Sequence, residues 1–289
     1  MMKITFLGTS GAVPSVERGM PAIAVHAKEL FLFDCGEGTQ RQMMKYKVGY
    51  GSVKAIFISH LHLDHFLGIY GLLETLKLNS PSPRPIKIFA PRKFESLLIN
   101  RHSFVDVIPI KPGLLYENDE CEISAFEVEH GCEAYGFVVK EKDRRKFDEK
   151  KAHGLGLKGK MFREIQEKGV VSVAGKKIKL DDVSHMKEGA KVVLSGDTLP
   201  CKSVERLAKG AALLIHEATF SEEQKEESEE RFHTSAKTAA TIANRAGVQR
   251  LILTHVSARF SDASILENEA KSVFSSVQVA KDGMVVDVK

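Results

Sequence analysis

No stretch of this 289-residue sequence approaches the ~20 consecutive apolar residues that a membrane-spanning helix requires, so a membrane partner is not expected. Cysteine is scarce. Cys35, Cys121, Cys132 and Cys201 stand at no paired spacing, which excludes a disulfide framework and reads as thiols in a reducing cytoplasm. A secretory leader is not expected either, because the opening MMKITFLGTSG meets glycine after a few apolar residues and reads as a first strand. No short-period repeat is present. Nor is there a large net charge: 42 Lys and Arg against 38 Asp and Glu leave +4. With 43% hydrophobic and 28% charged residues, the composition is that of a globular chain able to bury a sizeable core.

The small net charge hides an uneven distribution. Between Lys140 and Lys179 there are 14 Lys or Arg against 6 Asp or Glu, a local net of +8 that would attract a polyanion. The same region holds Gly154, Gly156, Gly159, Gly169 and Gly175 and has little apolar periodicity. It reads as a basic arm at about 142–179 inserted into a single domain, the competing reading being a solvated loop. The acidic run Glu222–Glu230 reads as a solvated loop or helix face.

What the sequence has in abundance is one repeated unit, a short apolar run ending at a residue able to bind metal. Ala55–Ser59 runs into His60, Val192–Gly196 into Asp197, Leu213–Ile215 into His216, and Leu251–Thr254 into His255. Continuous runs of this length suit strands buried on both faces, with polar groups displayed at their carboxyl ends. Strands are also expected at Ile4–Leu7, Ala22–Val25 and Leu30–Phe33, and through much of Ile86–Tyr135. Helices are expected at Phe66–Leu78, Thr234–Ala246 and roughly Ala263–Val273, the second stopped by Gly247. The fold class is therefore α/β, with two loosely similar halves.

The strongest local signal is His60-Leu61-His62-Leu63-Asp64-His65. In an extended segment the side chains of 60 and 62 point to one side and can grip one ion, while Asp64 and His65 open the next helix and can face a second. His130, Asp197 and His255 complete the count: His60, His62 and His130 for one ion, Asp64, His65 and His255 for the other, Asp197 between them. Imidazole and carboxylate without cysteine suit zinc, with manganese or iron tolerated. Two adjacent ions supply a nucleophilic hydroxide without serine or cysteine.

The hexad, with Ser195-Gly196-Asp197-Thr198 and Leu253-Thr254-His255, resembles the metallo-β-lactamase superfamily of hydrolases. The resemblance implies a four-layer αβ/βα sandwich with one metal cleft. Phe6–Gly11, Phe33–Gln42, His216-Glu217-Ala218-Thr219, His233–Ala240 and Thr254–Phe260 further resemble ribonuclease Z, the tRNA 3′-processing endonuclease. That likeness implies a zinc phosphodiesterase acting on precursor tRNA. It also implies a homodimer, a basic arm that clamps the RNA, and a proton-shuttle role for His233 and Glu217. Asp64 would ligate metal and accept a proton from the attacking water. The alternative is a superfamily hydrolase of a small ester or cyclic phosphodiester.

Asp34 admits two readings, orienting a ligand from behind or capping a helix over Gly36–Lys45, and the cap is the expected one. Two departures from the family pattern stand out. Gly154-Leu155-Gly156-Leu157-Lys158 lacks the Gly-Pro pair of the family's arm, and His233-Thr234-Ser235 replaces His-Ser-Thr.

Overall fold

A computed structural model describes residues 2–99 and 102–289. The backbone divides into two compact units, Met1–Glu141 with Ala190–Lys289, and Lys142–Gly189.

The larger unit is built on two seven-stranded sheets. The first runs Val285–Val288, Met2–Gly8, Ala22–Ala27, Glu29–Phe33, Val53–Phe57, Ile86–Ala90, Val105–Pro109. Its first three pairings are antiparallel and its last three parallel. The second runs Val277–Val279, Leu251–Thr254, Leu213–Glu217, Lys191–Leu194, Tyr135–Glu141, Cys121–Glu127, Gly113–Glu117, with three parallel pairings followed by three antiparallel ones. Each sheet is thus half parallel and half antiparallel, which is the physical content of the similarity between halves.

Three apolar layers separate four layers of structure. Phe6, Phe31, Phe57, Phe137, Leu194 and Ile215 belong to the layer between the sheets. Leu32, Ile56 and Ile88 face helices Thr39–Lys45 and Gly68–Asn79 instead, joining Met43, Leu72 and Leu73. Val193, Leu214 and Leu253 pack on helices Lys202–Ala208, Ala236–Ala246 and Ser264–Lys271. Alternate residues of one strand therefore enter different layers, and this is why the strands read as unbroken apolar runs. Phe57 anchors the middle, stacked on Phe33 at 5.0 Å and Phe89 at 4.9 Å with Phe137 edge-on at 5.8 Å. Truncating such a ring to alanine costs about 3–5 kcal/mol.

The helix expected over Phe66–Leu78 forms as two, Leu63–Phe66 and Gly68–Asn79. The amide of Gly68 donates to the carbonyl of Cys35, and a Cβ on Gly68 would stand 1.9 Å from the carbonyl oxygen of Gly36. The loop after Phe33 thus crosses the helix at backbone distance, setting off the short turn that carries Asp64 and His65. The Ala-rich helix begins at Ala236, capped by Ser235, whose hydroxyl accepts from the amide of Thr238, and it ends at Gly247 in the left-handed conformation. The third expected helix spans Ser264–Lys271. The strand-rich stretch Ile86–Tyr135 contains four strands and the short helix Phe94–Leu97; its Asn100 and Arg101 lie outside the described residues. The acidic run forms a 3-10 turn, Glu222–Gln224, and helix Lys225–Glu230. No disulfide forms among the described residues, and no helix there is long and apolar enough to cross a membrane.

The smaller unit extends ten residues past the boundary expected at 179. Strand Ser184–Lys187 closes it by pairing antiparallel with Arg144–Phe147. Between them lie helices Glu149–Gly154 and Met161–Lys168, hairpin Val170–Val173 with Lys176–Lys179, and helix Leu180–Val183. Ala152, Leu157, Ile165, Val171, Ile178 and Val183 form a core of its own. The sequence shows little periodicity because each short element contributes only one or two of these residues.

Candidate metal centre

The strands of both sheets deliver their polar residues at their carboxyl ends. His60 follows Val53–Phe57 after two residues, Asp197 follows Lys191–Leu194, Glu217 closes Leu213–Glu217, and His255 directly follows Leu251–Thr254. His130 lies three residues beyond Cys121–Glu127. Alternation decides the third of these runs. Leu213 and Ile215 face the layer between the sheets, so Glu217 shares their side and His216 points the other way. His216 is buried, its Nδ1 donates to the carbonyl of Glu217 at 2.8 Å, and it stays outside the cluster.

The seven expected ligands converge, with His233 beside them. Donor atoms lie within 4.8 Å of one another in the sets His60, His62, His130; His60, His65, Asp197; Asp64, His65, His255; and Asp197, His233, His255. Oδ2 of Asp197 is 3.8 Å from Nε2 of His60, 3.3 Å from that of His65 and 3.2 Å from that of His255. Oδ2 of Asp64 is 3.5 Å from Nε2 of His65 and 3.6 Å from that of His255, and it accepts from the amide of Ala12 at 3.0 Å.

These contacts fit a divalent cation. Ring nitrogens face each other at 3.3 Å in both His65–His255 and His62–His130, an arrangement that a shared central charge satisfies. Nε2 of His60 is buried with no hydrogen-bond partner. An orphaned nitrogen of this kind is costly unless something accepts its lone pair.

The charges respond accordingly. Burial, reinforced by neighbouring His65, pushes the pKa of His60 well below the ordinary histidine value, and burial beside His130 lowers that of His62, leaving both in the neutral, ligating form. Burial opposes charge on His65 as well, but the Asp197 and Asp34 carboxylates prevail and lift it well above the ordinary value. Asp64 and Asp197 are held below the carboxylate range despite burial, by His255 and His65 together.

Asp34 does not cap a helix. Helix Thr39–Lys45 has Gly38 at its N-cap. Asp34 adopts a left-handed φ of 56° and accepts from the amide and hydroxyl of Ser59 at 2.8 and 3.0 Å, and its Oδ2 lies 2.9 Å from Nδ1 of His65. It thereby fixes the ring that points Nε2 into the cluster.

Beside the cluster sits a buried ion pair. Oε1 of Glu217 accepts from Nδ1 of His233 at 2.9 Å and from the amides of Thr198 and Thr234, each at 3.1 Å. Oε2 accepts from the amide and the hydroxyl of Thr219 at 3.1 and 2.7 Å. Burial would raise its pKa, yet His233 holds it below the ordinary value. Conversely, burial would lower His233, but Glu217 lifts it to about 9.

A family model described as anti-Pycsar protein Apyc1 matches residues 2–153, a span that includes the hexad and His130 but not Asp197, Glu217, His233 or His255. The curated relatives cover the whole site. Ribonuclease Z of Archaeoglobus fulgidus is 42% identical over 100% of this chain and 98% of its own length, and that of Methanothermobacter thermautotrophicus is 39% identical over 100% and 97%.

This chain belongs to the ribonuclease Z family.

Among solved structures, the short form of human tRNase Z superposes with a TM-score of 0.70 at 28% identity, covering 99% of both chains. A metallo-β-lactamase-fold protein of Bacillus subtilis gives 0.75 at 22% identity over 99% of this chain and 100% of its own, a likeness of fold. The sandwich is thus the metallo-β-lactamase fold, and a divalent metal belongs to it.

The ribonuclease Z motifs now have structural addresses. A Cβ on Gly11 would stand 2.5 Å from Nδ1 of His255, so the opening motif needs glycine to seat that ring. The exchanged hydroxyls of His233-Thr234-Ser235 both remain in use: Thr234 donates to the carbonyl of Thr198 at 2.6 Å, and Ser235 caps its helix. Sequence reasoning assigned no role to Ser59, Thr198 or Thr219, nor to the amide of Ala12. The signal for the three side chains was their place inside the quoted motifs or beside a ligand, and Ala12, one residue past the opening motif, had none.

Proposed function

We propose that this chain is a zinc-dependent endoribonuclease that removes the 3′ trailer from precursor tRNA, leaving a 3′ hydroxyl on the tRNA and a 5′ phosphate on the trailer. His60, His62 and His130 would hold one ion, Asp64, His65 and His255 a second, and Asp197 would lie between both. When bound, such ions supply Lewis-acid activation of water and charge stabilisation at phosphoryl oxygens. Asp64 would also take up the proton that the attacking water gives up.

The observation that carries the reading is the protonated His233 within 4.8 Å of the donor atoms of Asp197 and His255. A ribose 3′ oxygen leaves as a poor alkoxide and needs a proton. With Nδ1 committed to Glu217, His233 can deliver that proton from Nε2. A thioester has no such need, and the relatives matched over their full length are named for ribonuclease activity rather than ester hydrolysis. The smaller unit favours RNA as well. Its lysines and arginines lie largely on its surface, where phosphate contacts give affinity without reading sequence. The protein would act in the cytoplasm as a homodimer.

The test is cleavage of a panel of precursor tRNAs by protein whose zinc content is measured on the same sample. The expected product ends after the discriminator base. Zinc-loaded protein that leaves every trailer intact would refute the proposal.

A further inference from the structure

The hydroxyl of Thr219 touches both halves of the site. Its Oγ1 is 2.7 Å from Oε2 of Glu217 and 2.8 Å from Nδ1 of His255, with Nδ1 of His233 at 3.3 Å. The side chain is 7% exposed, so water is not a ready substitute for these partners. Donor counting fixes the direction of each bond. A threonine hydroxyl has one proton and two lone pairs, and an ionised carboxylate only accepts. Glu217 collects five donors in all, the arrangement of an ionised acceptor. The hydroxyl proton therefore goes to Glu217, and the 2.8 Å contact with His255 is made by Nδ1–H donating to Oγ1.

We infer that Thr219 is a positioning residue that, with a cation bound, holds His255 as its Nδ1–H tautomer, aims the Nε2 lone pair into the cation position it shares with Asp64 and His65, and ties this ligand to the Glu217–His233 pair. The reverse polarity would place the proton on Nε2, where it would block ligation. The backbone adds to the constraint. His255 sits at a left-handed φ of 56°, and the amide of Ala218 donates to the carbonyl of Thr254 at 2.9 Å, clamping the two strand ends beside each other. One short motif thus contributes the carboxylate that charges His233 and, two residues later, the hydroxyl that orients a metal ligand on the neighbouring strand.

This inference rests on the proposed two-metal site but not on the identity of the substrate, so its main readout is metal affinity. Thr219→Val keeps the shape and removes the hydroxyl; Thr219→Ser keeps the hydroxyl. Zinc titrations against a chromogenic chelator should show the valine variant losing ~10–100-fold in affinity for one of two equivalents, the range for groups that support a ligand from behind. The serine variant should stay within about threefold of wild type. In the zinc-loaded wild type, a slowly exchanging imidazole Nδ1 proton of His255 should be visible by NMR, and it should broaden in the valine variant. If the valine variant does not fold, Thr219→Ala carries the same comparison. Unchanged zinc affinity without the hydroxyl, or equal losses in the valine and serine variants, would overturn the inference. Absence of tRNA cleavage by the wild type would instead sink the nuclease reading and leave this one standing.

Discussion

The two units use the same residue types in opposite ways. At the candidate metal centre of the larger unit, most histidines and carboxylates are buried or half-buried and held by several partners: Glu217 has five donors and Asp34 fixes both Ser59 and His65. In the smaller unit, charges stand in solvent around a six-residue core, in pairs such as Arg163–Glu167 and Lys168–Glu164 at 2.8 and 2.9 Å. Exposed helical pairs of this kind are worth about 0.3–0.5 kcal/mol. Burial turns charge into fixed geometry suited to chemistry, whereas exposure turns it into a field suited to attracting a polyanion. The two jobs should therefore be separable by mutation.

The largest expected effect is on chemistry alone. Asp64→Ala should abolish cleavage while RNA affinity, measured by filter binding, stays within about threefold; persistent turnover would remove Asp64 from its role. His233→Ala should slow tRNA cleavage by roughly 10²–10⁴-fold, the range for a positioned acid, but hydrolysis of a nitrophenyl phosphodiester by less than tenfold. Equal losses would argue against proton delivery. The wild-type rate on tRNA should also fall as pH rises through about 9, where His233 loses its proton.

The next effect is on binding alone. The amide of Glu141 donates to the carbonyl of Ala190 at 2.9 Å, so the ends flanking the smaller unit are neighbours within the larger one. Replacing residues 142–189 by a two-residue Asn-Gly turn should weaken RNA binding by about tenfold or more and flatten its salt dependence. Nitrophenyl diester hydrolysis should persist, and its loss would show that the units do not act independently.

The smallest effect is on stability. Because the pKa of His233 is raised from 6.5 to about 9, the stabilisation it brings is complete below pH 6.5 and disappears as pH climbs through 9. Glu217 is lowered, so its contribution is complete above its ordinary value near 4.5 and is lost on acidification. The contribution of this pair in the metal-free protein should therefore be complete only between about pH 4.5 and 6.5, while the buried, neutral His60 and His62 weaken the fold as pH drops below 6.5. Thermal melts of His233→Ala should show a shallower decline above pH 6.5, the remainder belonging to His65, and an unchanged decline would remove His233 from that role.

Legibility in the sequence followed sequence distance. The hexad is local, and Asp197 and His255 stand out because each follows an apolar run that only a doubly buried strand would need, whereas His130 follows the alternating strand Cys121–Glu127 and is the weaker signal. His216 follows such a run too, and only the strand's alternation turns it away from the site. The job of Asp34 rests on a left-handed backbone and a partner 31 residues away, neither of which leaves a pattern. The smaller unit ends at Gly189 because Lys187 pairs with Arg144, 43 positions away, and its core is too finely divided to show a period. Thr219 was legible only as a letter in a motif, since its meaning lies in which atom donates.

The most direct test is crystallography of zinc-soaked protein with anomalous scattering recorded at the zinc edge. Two peaks per chain are expected, one bounded by His60, His62 and His130, the other by Asp64, His65 and His255, with Asp197 touching both. A single peak, or zinc bound away from these side chains, would contradict the two-metal centre.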